Sequence, residues 1–162
     1  MAKKSTGGTP ATVALTRAGV AFTLHEYAHD ARATSYGSEA AEALGLDPDR
    51  VFKTLLAEVD GTLVVAVVPV AGWLDLKALA RALGGRKAGM ADPKDAERST
   101  GYVVGGIAPV GQKRPLPTVV DASASAYDVV YVSAGRRGLD LGIAPADLVA
   151  VTGAITADVS RS

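Results

Sequence analysis

The apolar positions fall into short runs of changing period, and those periods predict the elements. Val20 to Tyr27 alternates apolar and polar residues as a half-buried strand does. Thr54 to Val59 and Thr62 to Val68 are β-branched runs around Asp60-Gly61, the dipeptide of a tight hairpin. Pro69 ends the second of them. Helices show instead through their caps. Thr9-Pro10 reads as an N-cap followed by proline at the first helical position, with Gly19 closing a short helix. Ser38 to Leu44 is an alanine-rich helix before Gly45, and Asp75 caps a helix to about Leu83 that carries Leu76, Leu79, Ala80 and Leu83 on one face. Asp92-Pro93 starts a further helix ending near Gly101, and Ala144 to Val151 forms the last. Between them lie a glycine-rich stretch from Tyr102 to Gly111, strands over Thr118–Val120 and Val129–Ser133, and a hairpin through Gly135-Arg136-Arg137-Gly138. Helices and strands do not alternate regularly, so the pattern predicts an α+β domain, a mixed, barrel-like β-sheet surrounded by helices, rather than a doubly wound parallel sheet. Residues 1–8 read as a flexible tail and 9–162 as a single domain.

Composition narrows the function. Seventeen Lys+Arg balance seventeen Asp+Glu, which argues against a protein that holds nucleic acid by charge alone. There is no cysteine, so a disulfide framework, a thiolate zinc site and a cysteine nucleophile are excluded. The apolar run Leu63–Val68 is far shorter than the ~20 residues of a membrane span, and no secretion signal is evident, so a cytoplasmic location is expected. His25 and His29 are the only histidines and read as loop or edge residues rather than metal ligands. No metal and no cofactor is expected. No P-loop, nucleophile elbow or dinucleotide fingerprint occurs.

Three segments are hard to explain by packing alone. Lys53 interrupts the apolar Val51-Phe52-Lys53-Thr54-Leu55-Leu56. An unpaired buried lysine costs several kcal/mol, so its head group either projects into a cleft or snorkels to solvent. Gly105-Gly106-Ile107-Ala108-Pro109-Val110-Gly111 is either an ordinary turn or a loop whose amides converge on an oxygen. Tyr131-Val132-Ser133 running into Arg136-Arg137-Gly138-Leu139-Asp140 is either a solvated hairpin tip or a site for a phosphate-bearing ligand.

Taken together these segments resemble the YbaK family of trans-acting aminoacyl-tRNA deacylases. The resemblance is carried by Val51 to Leu56, Val67-Val68-Pro69-Val70-Ala71-Gly72, Leu74-Asp75-Leu76-Lys77, Met90-Ala91-Asp92-Pro93 and the long run from Arg98 to Lys113. Tyr131-Val132-Ser133 and Arg137 to Asp140 extend it, over about residues 9–160. Ala108 departs from a common serine and Tyr36 from a common phenylalanine, and the N-terminal tail is longer. The resemblance implies the fold of the editing domain of prolyl-tRNA synthetase and a tRNA mischarged with cysteine as substrate, chiefly on tRNA(Pro). It implies catalytic positions at Lys53 and along the GxxxP loop (Gly105, Gly106, Ile107, Ala108, Pro109), with Tyr27, Tyr36, Thr54, Ser133 and Asp140 lining the pocket. Lys113, Arg114, Arg136 and Arg137 are candidates to touch tRNA. A transient complex with prolyl-tRNA synthetase and a monomeric or weakly dimeric state are expected. With no thiol in the protein and no evident triad, the substrate's own thiol is expected to attack the ester. Water-mediated editing of another pair such as Ala-tRNA(Pro), and a non-catalytic aminoacyl-tRNA binder, are the alternatives.

Overall fold

Local chemistry starts several elements where the sequence says it should. In the computed structural model, which describes residues 8–30, 32 and 36–162, helix α1 (Pro10–Ala18) opens on a capping box. The Thr12 amide donates to the Thr9 hydroxyl at 3.2 Å while the Thr9 amide donates to the Thr12 hydroxyl at 3.0 Å. The other helices are α2 (Tyr36–Leu44), α3 (Leu76–Ala82) capped by Asp75, α4 (Pro93–Thr100) capped by Asp92, and α5 (Pro145–Thr152). The expected tail lies outside the described residues except for Gly8.

Strands β1 (Thr23–Glu26), β2 (Phe52–Val59), β3 (Thr62–Pro69), β4 (Trp73–Leu74), β5 (Ala88–Met90), β6 (Thr118–Asp121), β7 (Val130–Arg136), β8 (Leu139–Ile143), β9 (Ile155–Ala157) and β10 (Ser160–Arg161) complete the fold. Asp60 and Gly61, at φ of 50° and 85°, make the two-residue turn between β2 and β3, a geometry that an Asp-Gly pair tolerates and a β-branched pair does not. The alternating run from Val20 shortens to four strand residues, because β1 pairs only with β8 and only from Thr23 onward. The strands β4, β5, β9 and β10 are two or three residues long, too short to show a period.

The five-stranded sheet β5-β2-β3-β6-β9 and the three-stranded sheet β1-β8-β7 meet at one parallel bridge, Val51 to Tyr131. There the Tyr131 amide donates to the Arg50 carbonyl at 2.9 Å. The result is a mixed sheet, as the pattern implied; among the described residues no ladder joins β1 to β9. The apolar continuity of β3 has a simple cause. Val65 and Val67 face a core with Leu15, Leu139 and Leu141, while Val64, Ala66 and Val68 face another with Leu79 and Val159. Both faces of β3 are therefore covered, and no polar alternation is possible.

Candidate functional site

The site lies where one strand lacks a neighbour. β3 pairs with β2 along its whole length, from Phe52 opposite Pro69 to Val59 opposite Thr62. On its other edge, β2 is met by β7 only at Val51 and by β5 only from Ala57 to Val59. Residues 52–56 thus border a gap between two diverging strands. Hydrogen-bond alternation decides what faces it. Val51 accepts from the Val70 amide on the β3 side, and Leu56 accepts from the Ala91 amide on the open side. Phe52 and Thr54 consequently turn their backbone N–H and C=O groups into the gap. A cavity of about 300 Å³ opens there, walled by β2, Ser133 of β7, Asp140 of β8, Tyr27, Tyr36 and Ala40, Met90, Ala91, Pro93 and Ala96, and Val104, Gly105 and Ile107.

Lys53 reaches the cavity with its stem along the wall. Its Nζ donates to the Gly72 carbonyl at 3.0 Å and stands 5.6 Å from the centre of the Trp73 ring. Burial lowers its pKa from the ordinary lysine value. One carbonyl occupies one of three ammonium donors, leaving two for a ligand. Thr54 contributes a hydroxyl that is buried and, among the described residues, has no hydrogen-bond partner. Asp140 is 5% exposed, and burial alone pushes its carboxyl up to about 7. It stands opposite Ser133 in the β7–β8 register, and the Ser133 hydroxyl accepts from the Gly135 amide at 3.2 Å. Tyr27 is raised to about 12, by burial first and by the Asp140 charge second.

The glycine loop is clamped at its start, on Val104. The Val104 amide donates to Glu97 Oε2 at 2.8 Å, and Arg137 donates to the Val104 carbonyl through Nε at 2.9 Å and Nη2 at 2.5 Å. The same guanidinium lies 4.8 Å from the Tyr36 ring centre. Gly105 has φ 93°, and a Cβ there would come within 2.6 Å of Arg137 Nε and 2.9 Å of the Tyr36 ring, so only glycine fits. Gly105 and Ile107 border the cavity, but the other expected loop positions point elsewhere. The Gly106 amide donates to the Val103 carbonyl at 2.8 Å and is consumed by the turn. Ala108 is fully buried in the core. Pro109 borders a separate depression of about 160 Å³.

The basic candidates divide. Arg137 is committed to the pocket rim, and Arg136 pairs with Glu26 at 3.1 Å. Lys113 and Arg114 do not border the cavity; their amides donate to the Thr100 and Ser99 carbonyls at the far end of α4. The histidines also part: His25 Nε2 lies 2.8 Å from the Thr23 hydroxyl, whereas His29 pairs with Glu39 at 2.9 Å. Among the described residues the cavity wall holds neither histidine nor cysteine. Sequence reasoning missed Trp73 and the α4 wall at Pro93 and Ala96. Only the first had a signal of its own, a lone tryptophan beside a glycine.

The cavity in the gap of the mixed sheet is bordered by Lys53, the Thr54 and Ser133 hydroxyls and the Asp140 carboxyl. The chain belongs to the aminoacyl-tRNA editing domain family, which it matches over residues 29–151. It is 41% identical over 121 residues, 74% of each chain, to EbsC of Enterococcus faecalis, named as a candidate Cys-tRNA(Pro)/Cys-tRNA(Cys) deacylase. It is 37% identical over 110 residues to a proline–tRNA ligase of Moorella thermoacetica, covering 61% of this chain and 19% of the ligase. Among solved structures, one described as a candidate trans-editing enzyme for prolyl-tRNA synthetase superposes with a TM-score of 0.83 at 28% identity, over 94% of this chain and 96% of that one. Among the described residues, no helix is long and apolar enough to cross a membrane.

Proposed function

We propose that this editing domain deacylates mischarged tRNA, with Cys-tRNA(Pro) as the chief substrate, and that the substrate's own thiol performs the attack. One observation carries the reading: the cavity gathers Lys53, Thr54 and the loop residues Gly105 and Ile107, yet none of its described side chains forms a nucleophile–base pair. The names of the relatives support the substrate class, and the shared segment with a proline–tRNA ligase supports the tRNA(Pro) assignment. In the step, the cysteinyl sulfur loses its proton and bonds to its own ester carbonyl carbon. The carbon–oxygen bond to the terminal ribose then breaks, the ribose oxygen takes the proton, and a cyclic thiolactone leaves. Attack within one bound molecule gains the effective molarity of a held geometry. In this reading the Gly105 and Ile107 amides stabilise the oxyanion, a contribution worth on the order of 10²–10³ in rate per donor. Lys53 anchors the terminal ribose or its phosphate. Tyr27, Tyr36, Ser133 and Asp140 shape the pocket around the amino acid. Only the acceptor end is gripped, and a synthetase that already holds the tRNA supplies the remaining affinity.

Asp140 favours a second reading. A carboxyl near 7 is matched to abstracting a proton from water, which would make the reaction a hydrolysis and admit other amino acids such as alanine. A panel of mischarged tRNAs separates the two. Rapid release from Cys-tRNA(Pro), with Ser-tRNA(Pro) and an S-methylated cysteinyl analogue surviving, is the expected result. Comparable turnover of either survivor would overturn thiol assistance, and no turnover of any member would leave an aminoacyl-tRNA binder.

A further inference from the structure

The mechanism leaves one prominent side chain unused. Trp73 is the only tryptophan of the chain and is 67% exposed. It sits on β4, a two-residue strand paired only with β10, with Arg161 directly opposite. The ribbon is tight: a Cβ on Gly72 would fall 2.7 Å from the Arg161 carbonyl, so the backbone beneath the ring has one neighbour it cannot move away from. A large indole left in water needs a reason, and its surroundings supply one. Lys53 spans from the cavity wall to the ring, with its ammonium 5.6 Å from the ring centre. Arg161, paired with Trp73 on β10, carries a side chain 69% exposed whose Nε lies 3.9 Å from Asp75 Oδ2. An exposed aromatic face beside a lysine ammonium suits single-stranded nucleic acid, since every base has a face to stack and a phosphate beside it.

We infer that Trp73 is the stacking platform for the terminal base of the RNA, the base on the same ribose that carries the ester. The inference rests on the proposed function and adds a second contact point to it. The ester and the base are held by one sugar, so a pocket for the first must have a seat for the second one ribose away. Lys53 measures that separation, with its stem among the cavity residues and its head beside the indole. Zero net charge makes the contact useful. Stacking contributes affinity that does not depend on a basic surface, and it selects an unpaired end over the duplex stem.

The lone tryptophan is its own reporter. Two acceptor-stem RNA hairpins, one ending in CCA and one truncated to CC, are titrated against the protein while Trp73 fluorescence is followed, with AMP as a third arm. The expected result is quenching by the CCA hairpin at concentrations about tenfold below the truncated one, with AMP weaker still. In deacylation assays Trp73→Ala raises KM by about 5- to 100-fold, the range for one stacked base, and lowers kcat far less, while Trp73→Phe recovers most of the loss. Exposure of the ring keeps both variants folded, which thermal melts verify. Equal quenching by the two hairpins, tighter quenching by AMP, or an unchanged KM in Trp73→Ala overturns the inference. Absence of turnover by the wild-type protein on every mischarged tRNA would instead sink the proposed function, and terminal-base quenching would still be read independently.

Discussion

The two halves of β2 are built from the same strand and live under opposite rules. From Ala57 to Val59 the strand is paired on both edges, with β3 and β5, and Ala57 and Val59 are packed against Val64 and Leu79. Every backbone group there has a partner and every inward side chain is apolar. From Phe52 to Leu56 one edge is open, and the same strand presents a half-buried ammonium at Lys53 and a partnerless hydroxyl at Thr54. The second half is what a sequence does to be stable, and the first is what it tolerates in order to bind. Polar groups left without a protein partner beside a cavity are functional capacity, because a bound ligand can satisfy them.

Replacing Lys53 is the strongest way to break the contrast. Lys53→Ala is expected to lower kcat/KM for deacylation by about 10- to 100-fold, the loss of a charged anchor worth about 1.5–3 kcal/mol, while denaturant unfolding moves by about 1 kcal/mol or less, since one hydrogen bond to Gly72 is lost and the half-buried ammonium goes with it. A melt that collapses along with activity would assign Lys53 to the stabilising half of the strand.

Asp140 extends the contrast to the facing strand. Its carboxyl ionises near 3.8 in the unfolded chain and near 7 in the folded one. The native state therefore binds more protons between those values, and stability from this group is complete below about pH 4 and lost as pH rises to about 7. The loss is on the order of 4 kcal/mol, after which the curve is flat. Asp140→Asn removes the titration, so its stability should match the wild type near pH 4 and exceed it by that amount at pH 8. Urea unfolding at pH 4.5, 6 and 8 measures the difference. Parallel curves would mean that the carboxylate is comfortably solvated in the cavity.

What could be read from the chain follows the same division. Caps and turns at Thr9, Asp60-Gly61, Asp75 and Asp92 were legible because their chemistry is settled within four residues. Lys53 was legible because a charge inside an apolar run violates a local rule. The gap itself was not, since it depends on where β5 and β7 leave β2, strands separated from it by about thirty and eighty residues of chain. The loop was half legible. Its glycines announce an unusual backbone, but that the Gly106 amide is spent on Val103 and that Ala108 turns into the core are facts of tertiary packing. Arg137 shows the same limit. Beside Arg136 it reads as a phosphate contact, and only the fold brings it over Tyr36 and onto the Val104 carbonyl.

The smallest expected effect is also the sharpest test of the comparison. Thr54→Val keeps the shape of the side chain and deletes a hydroxyl that is buried without a partner. In the paired half of a strand, losing a buried hydroxyl normally breaks a hydrogen bond and destabilises. Here there is none to break, and the desolvation cost of an unsatisfied group, about 1–3 kcal/mol, disappears with it. Thr54→Val should therefore melt at the wild-type temperature or a few degrees above it. Deacylation should fall about tenfold, the value of one hydrogen bond of ~1.4 kcal/mol made only to the bound substrate. Lower stability with unchanged activity would show that the hydroxyl serves the fold. Higher stability with weaker activity would show that β2 gives up stability at Thr54 to hold its ligand.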